Sequence, residues 1–130
     1  IGGGISGILA LKYLKDQGIK AVLYEKNSDL KGVWNLKEGL VWKEMTTNLS
    51  QITCQFQDHY WEPNKLFLPS VNEMNEYLES YIEKHKLREF HEMKFKKSVS
   101  RISHMKSDNN STYVEINVDG KVLNYENVII

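Results

Sequence analysis

Apolar and polar residues change their spacing several times along this chain, and each change predicts an element. From Gly7 to Gln17 the spacing is helical: at about 100° per residue, Lys12, Lys15 and Asp16 gather on one side and leave Ala10, Leu11, Tyr13 and Leu14 on a broad apolar arc. Gly18 then supplies the left-handed residue that commonly ends a helix. Ile19 to Tyr24 follow as a short apolar strand ending at Glu25, as expected of a parallel strand covered on both faces. Periodicity fades over 26–69, which hold Trp34, Trp42, Trp61, Pro63 and Pro69. A connection this long inside a compact domain is usually functional, so the segment is expected to wrap a ligand. A helix restarts at Ser70, where Ser70 and Glu73 form a capping box and Met74, Leu78, Tyr81, Ile82 and His85 recur at helical spacing to about 86. Its early glutamates and its late Lys84, His85 and Lys86 complement the helix dipole.

Beyond Leu87 the period becomes two. Phe95 to Ile102 alternates loosely, and Val114, Ile116 and Val118 form the apolar face of a strand that turns at Asp119 and Gly120 into Lys121 to Tyr125. Ser107 to Thr112 reads as a loop. Val128, Ile129 and Ile130 read as a buried strand re-entering the first sheet, and Ile1 as the last residue of another. Both ends are therefore expected to be cut through strands. The expected class is α/β: a Rossmann-like parallel sheet with an appended antiparallel hairpin or meander. Its parts are a glycine-rich βαβ unit over 1–25, a ligand-contacting loop over 26–69, a helix over 70–86 and a β-rich part over 93–130.

Composition narrows the function classes. Seventeen basic residues balance seventeen acidic ones, so no net field draws nucleic acid or an anionic membrane to the chain. No apolar run approaches the ~18 residues of a membrane span. Cys54 is the only cysteine, which excludes an internal disulfide and suits a reducing compartment. With no His or basic partner beside it, Cys54 is expected to be a lone half-buried thiol. His59, His85, His91 and His104 have no zinc spacing and are expected on the surface or on helix faces. The sequons at Asn48, Asn109 and Asn110 read as chance matches.

The chemistry lies in the opening residues. Gly2, Gly4 and Gly7 form G-x-G-x-x-G: one glycine for a tight turn out of a strand, one for backbone approach to a pyrophosphate, one for close packing of helix on strand. Phosphate would rest on unpaired N–H groups at the positive end of the helix. Glu25 stands 18 residues after Gly7, at the end of the next strand. A carboxylate there accepts from both ribose hydroxyls and repels a 2′-phosphate, so FAD or NAD fits this site better than NADP.

From end to end the chain resembles the flavin-containing monooxygenases. IGGGISGIL, with Ser6 in the serine position, resembles their G-x-G-x-S-G-L, and KGVW, Lys31 to Trp34, stands where they carry G-G-x-W, with Lys31 in place of the first glycine. WKEMTTNLSQITCQF resembles their aromatic, two-threonine-or-serine, Asn segment, LFLPSVNEMNEYLESYIEKHKL their F-P and Y-L helix, FKKSVSRI the strand whose valine meets adenine, and YENVII the strand leading to an A-T-G element. The resemblance implies FAD contacts from Gly2, Gly3, Gly4, Ile5, Ser6, Gly7, Glu25, Lys26, Gly32, Val33, Trp34, Thr47, Asn48, Leu49 and Val99. Asn48 would act catalytically at the flavin C4a and N5 edge. NADPH would reduce FAD, and the oxygenated flavin would pass one oxygen atom to a soft amine or sulfide, inside the cell, in the cytoplasm or on the cytosolic face of the endoplasmic reticulum. No metal is implied. This chain contains neither a second G-x-G-x-x-G nor the family's F-x-G-x-x-x-H, so an NADPH-binding domain is not expected within it and turnover by it alone is not expected. Two alternatives stand beside this reading: a Baeyer–Villiger or other two-dinucleotide flavoprotein, and a non-catalytic FAD-binding remnant. A disulfide reductase is disfavoured because it needs a second cysteine.

Overall fold

The computed structural model describes residues 1–63, 67–107 and 111–130. Its elements are α1 (Ile5–Asp16), β1 (Val22–Tyr24), a 3-10 turn (Gly32–Trp34), α2 (Val71–Lys84), α3 (Leu87–Phe90), β2 (Glu92–Lys94), β3 (Val99–Lys106), β4 (Thr112–Val118) and β5 (Lys121–Tyr125). β1 and β2 pair in parallel, while β3, β4 and β5 form an antiparallel meander. The class is thus the mixed α/β arrangement expected, with both kinds of sheet.

Local chemistry sets several boundaries. Ser70 accepts from the Glu73 amide and Glu73 returns the bond to the Ser70 N–H, the capping box read from the sequence. Gly18 at φ +70 closes α1, with its amide and that of Ile19 bonded back to Lys15 and Leu14. Asp119 and Gly120, both at positive φ, make the tight turn between β4 and β5.

One core joins Ile8 and Leu11 of α1, Leu23, Leu30, Tyr81, Ile82 and Leu87; a second joins Tyr24 to Val114, Ile116 and Val118. The buried face of α1 is rotated from the expected arc. Tyr13 is 58% exposed, whereas Lys12, expected on the polar side, lies against Asp16 at 2.7 Å and Asp58 at 3.4 Å. Ile8 and Leu11 settle the facing of the helix, because they meet Leu87 and the α2 residues that cover them.

Several strand expectations need correction. Phe95 to Ile102 is not continuous: the chain turns at Lys96 (φ +54), where the Lys96 and Lys97 amides donate to the carbonyls of Asn27 and Glu25, so β2 ends before it and β3 starts after it. The strand before Glu25 is three residues long. Ala21 gives its N–H to the His91 imidazole instead of to a neighbouring strand. Val128 to Ile130 forms no ladder: the Ile1 amino group donates to the Ile129 carbonyl, and Ile130 is 84% exposed. Thr112, placed in a loop, opens β4; the centre of that loop, with the sequons at Asn109 and Asn110, lies outside the described residues.

His91 is buried, against expectation. Its Nδ1 accepts from Ala21 N at 3.1 Å and its Nε2 lies 2.8 Å from Leu11 O, so the ring is the neutral Nε2–H tautomer bridging the residue before β1 to α1. Burial holds its pKa below the ordinary value, with nearby Lys15 and Lys20 acting in the same direction against the Leu11 carbonyl. A lowered folded-state pKa favours the native state while the ring is neutral, and that contribution is lost as pH falls below the unfolded value of about 6.5. Urea midpoints should therefore drop between pH 7 and 5, and His91→Phe, which costs about 1–3 kcal/mol through orphaned backbone groups, should flatten the part of that slope due to His91. An unchanged slope would remove His91 from the account.

Candidate functional site

The glycine-rich turn is held in place by backbone bonding. Gly2 N donates to Tyr24 O at 2.9 Å, tying the turn to β1. A Cβ on Gly7 would stand 2.0 Å from Gly2 O, so only glycine lets α1 start this close to the preceding chain. Gly4 caps α1 without a side-chain bond, and no acidic residue occupies the first turn, which leaves the positive helix end open to an anion. Opposite it stands the 3-10 turn, where a Cβ on Gly32 would meet the Gly4 Cα at 2.8 Å. The two turns thus touch backbone to backbone.

Together they border an open cleft of about 340 Å³ lined by Ile1, Gly2, Gly4, Ile5, Ser6, Gly7, Lys31, Gly32, Val33, Trp34 and Ile130. That volume falls in the ~300–1,000 Å³ range of small-molecule sites. Residues separated by a helix, a strand and a loop in sequence share this one space.

The other expected contacts stand apart from its lining. Glu25 is buried beneath Gly3, its Oε2 accepting from Gly3 N at 2.6 Å and its Oε1 from Asn27 N at 2.7 Å. Gly3 is buried and Lys26 exposed. Thr47 is anchored to the start of α2, its N–H donating to Pro69 O at 2.8 Å and its hydroxyl to Leu49 O at 2.7 Å, which leaves Asn48 and Leu49 exposed on a shaped turn. Val99 is half-buried and pairs with Val118.

Two supporting residues were not singled out from sequence. Asn75 on α2 donates through Nδ2 to the carbonyls of Trp34 and Val71, latching the 3-10 turn to the helix. Buried Asn35 closes the next turn, its Oδ1 accepting from Lys37 N at 2.9 Å and Glu38 N at 3.2 Å. A mid-helix asparagine was the available signal for Asn75, since that residue type rarely favours a helix interior without a bonding task. Trp61 stacks on Tyr77 with ring centroids 4.1 Å apart. Among the described residues no group of His, Cys, Asp and Glu forms a metal cluster, and no helix is long and apolar enough to cross a membrane.

Comparison with known proteins decides the family, because the description "flavin-binding monooxygenase-like" matches residues 1–124. The chain belongs to the flavin-binding monooxygenase-like family. Membership supports a flavin as the cofactor. Relatives within this group include dimethylaniline monooxygenase 2 (N-oxide-forming) of Cavia porcellus and flavin-containing monooxygenase 2 of Homo sapiens, each 33% identical over 64 residues that make up 45% of this chain. The matched stretch spans 12% of the length of those relatives. Solved monooxygenase and S-oxygenase structures share the fold. The S-allyl-L-cysteine S-oxygenase of Allium sativum superposes over 95% of this chain and 33% of its own, at TM-score 0.72 and 18% identity. A steroid monooxygenase bound to NADP superposes over 95% of this chain and 23% of its own, at TM-score 0.75 and 19% identity.

Proposed function

We propose that the full-length protein is an NADPH-dependent flavin monooxygenase that oxygenates soft amine nitrogens or sulfide sulfurs, and that residues 1–130 are part of its FAD-binding domain. The observation that carries the reading is the convergence of the glycine-rich turn and the Gly32–Trp34 turn on one cleft. The cleft offers a diphosphate the α1 end, free of acidic side chains, on one wall and sets a flat aromatic, Trp34, on the other. FAD, when bound, supplies the redox and oxygen-activating chemistry.

The protein's own residues then bind and orient. Amides at the start of α1, around Ile5, Ser6 and Gly7, take the diphosphate. Gly4 and Gly32 keep side chains out of its path, and Val33 and Trp34 border the ring system and exclude water. Glu25 braces Gly3 through one lone pair per oxygen and keeps the others for the adenosine ribose. Lys26 and Val99 flank the adenosine end. Thr47 and Leu49 shape the turn that offers the Asn48 amide to the flavin edge.

Amine or sulfide, in preference to ketone, is favoured by the partial similarity to dimethylaniline monooxygenase. Oxygen uptake by the full-length protein with NADPH should be stimulated by a tertiary amine or a thioether, with N- or S-oxide as product. Lactone formation from a cyclic ketone, with no oxide from either other probe, would move the assignment to Baeyer–Villiger chemistry. Absence of any NADPH-dependent uptake by flavin-loaded protein would leave a non-catalytic FAD-binding module.

A further inference from the structure

Lys31 stands at the cleft in a conformation that glycine would adopt more readily. Its φ is +87° and ψ −6°, in the left-handed region where a Cβ is strained. The backbone there is fully used: Lys31 N donates to Gly3 O at 2.8 Å and Lys31 O accepts from Trp34 N at 3.0 Å. Its side chain is used as well. Nζ lies 2.9 Å from Glu79 Oε2 and 3.2 Å from Asp29 Oδ2, and Arg88 closes a ring by reaching Asp29 Oδ1 at 2.9 Å and both Glu79 oxygens. Two cations and two anions from the loop, α2 and α3 thus form one neutral circuit around a lysine side chain only 13% exposed.

We propose that Lys31 is a positioning residue of the dinucleotide cleft: bound to Glu79 and Asp29, it clamps the Gly32–Trp34 turn against the glycine-rich turn and does not contact the cofactor phosphates. This rests on the reading of the cleft as the FAD site. A free lysine beside a diphosphate would be an ordinary phosphate ligand. Here two carboxylates already neutralise the ammonium, and turning it toward a phosphate would leave them with Arg88 alone. Burial would pull the Lys31 pKa down, but Glu79 and then Asp29 outweigh it, so the group stays charged and the clamp persists across neutral pH.

The test uses the full-length protein with Lys31→Met, Glu79→Gln and their combination, with Lys31→Gly to keep the turn unstrained and Lys31→Arg to restore the charge. Two readouts are taken: amide exchange of Trp34 and Asn35 without ligand, and FAD affinity by titration. A clamp predicts that Lys31→Met and Glu79→Gln each speed exchange and each weaken FAD by about fivefold to tenfold, with the double variant little worse than either and Lys31→Arg close to the parent. The same exchange loss in Lys31→Gly excludes misfolding of the turn as its cause. If Glu79→Gln instead preserves or tightens FAD binding while Lys31→Met weakens it, Lys31 is a direct phosphate ligand and the proposal is overturned. Unchanged exchange in both single variants overturns it too. A parent protein that takes up no FAD defeats the flavin reading, and exchange alone then decides whether the clamp exists.

Discussion

Gly7→Ala should abolish flavin uptake by the full-length protein and lower its stability by about 1–3 kcal/mol or more, as overpacking of a tight contact does. The added Cβ would sit 2.0 Å from a backbone oxygen, Gly2 O, so no rotamer change relieves it and the turn and α1 must separate. Gly4→Ala provides the contrast. Its Cβ would meet nothing nearer than the Gly32 Cα at 3.8 Å, and Gly4 has an ordinary φ of −73°, so its urea midpoint should stay within ~0.5 kcal/mol of the parent. Flavin binding should nevertheless fall in Gly4→Ala, because the new methyl group stands between the two walls of the cleft. Equal destabilisation of both variants, or full flavin occupancy in either, would contradict the assigned division between packing and ligand approach.

Tyr81→Ala should be the most damaging core substitution, costing about 3–5 kcal/mol, the range for removing a large buried ring. Tyr81 is 1% exposed and packs edge-on to Phe56 at 4.5 Å, with His85 at 4.5 Å and His59 at 5.4 Å. It also belongs to the cluster that holds α1. Since a domain's whole stability is about 5–15 kcal/mol, the variant should be largely unfolded at moderate temperature. Loss of the flavin site would follow as a consequence of lost α1 packing. Chemical denaturation measures it directly: a cost under 1 kcal/mol would mean that α1 does not depend on α2 in the way the buried cluster indicates.

Features whose cause is local in sequence were legible before the structure. The G-x-G-x-x-G turn, the Ser70 capping box, the left-handed Gly18 and the Asp119–Gly120 hairpin each depend on residues within a few positions of one another. So did the β4 face, where Val114, Ile116 and Val118 alternate and are all buried. What escaped was set by distant partners. β2 is a short polar segment, Glu92–Lys94, that becomes a strand only because β1 lies alongside it in parallel. His91 reads as a surface histidine until Ala21 and Leu11 supply its two hydrogen-bond partners. The rotation of α1 depends on Leu87 and Tyr81, and nothing in its own periodicity reveals them. At the site, the glycines and the KGVW turn were readable as motifs, but their convergence needed coordinates, as did the circuit through Asp29, Lys31, Glu79 and Arg88.

Titration of the flavin-free full-length protein with FAD, followed by visible absorbance and flavin emission, tests the dinucleotide cleft most directly. Saturable uptake of one FAD per chain is predicted, competed by ADP, which carries the same diphosphate and adenosine. A folded protein that stays colourless throughout the titration, or one whose FAD is not displaced by any concentration of ADP, would contradict the placement of the diphosphate on α1.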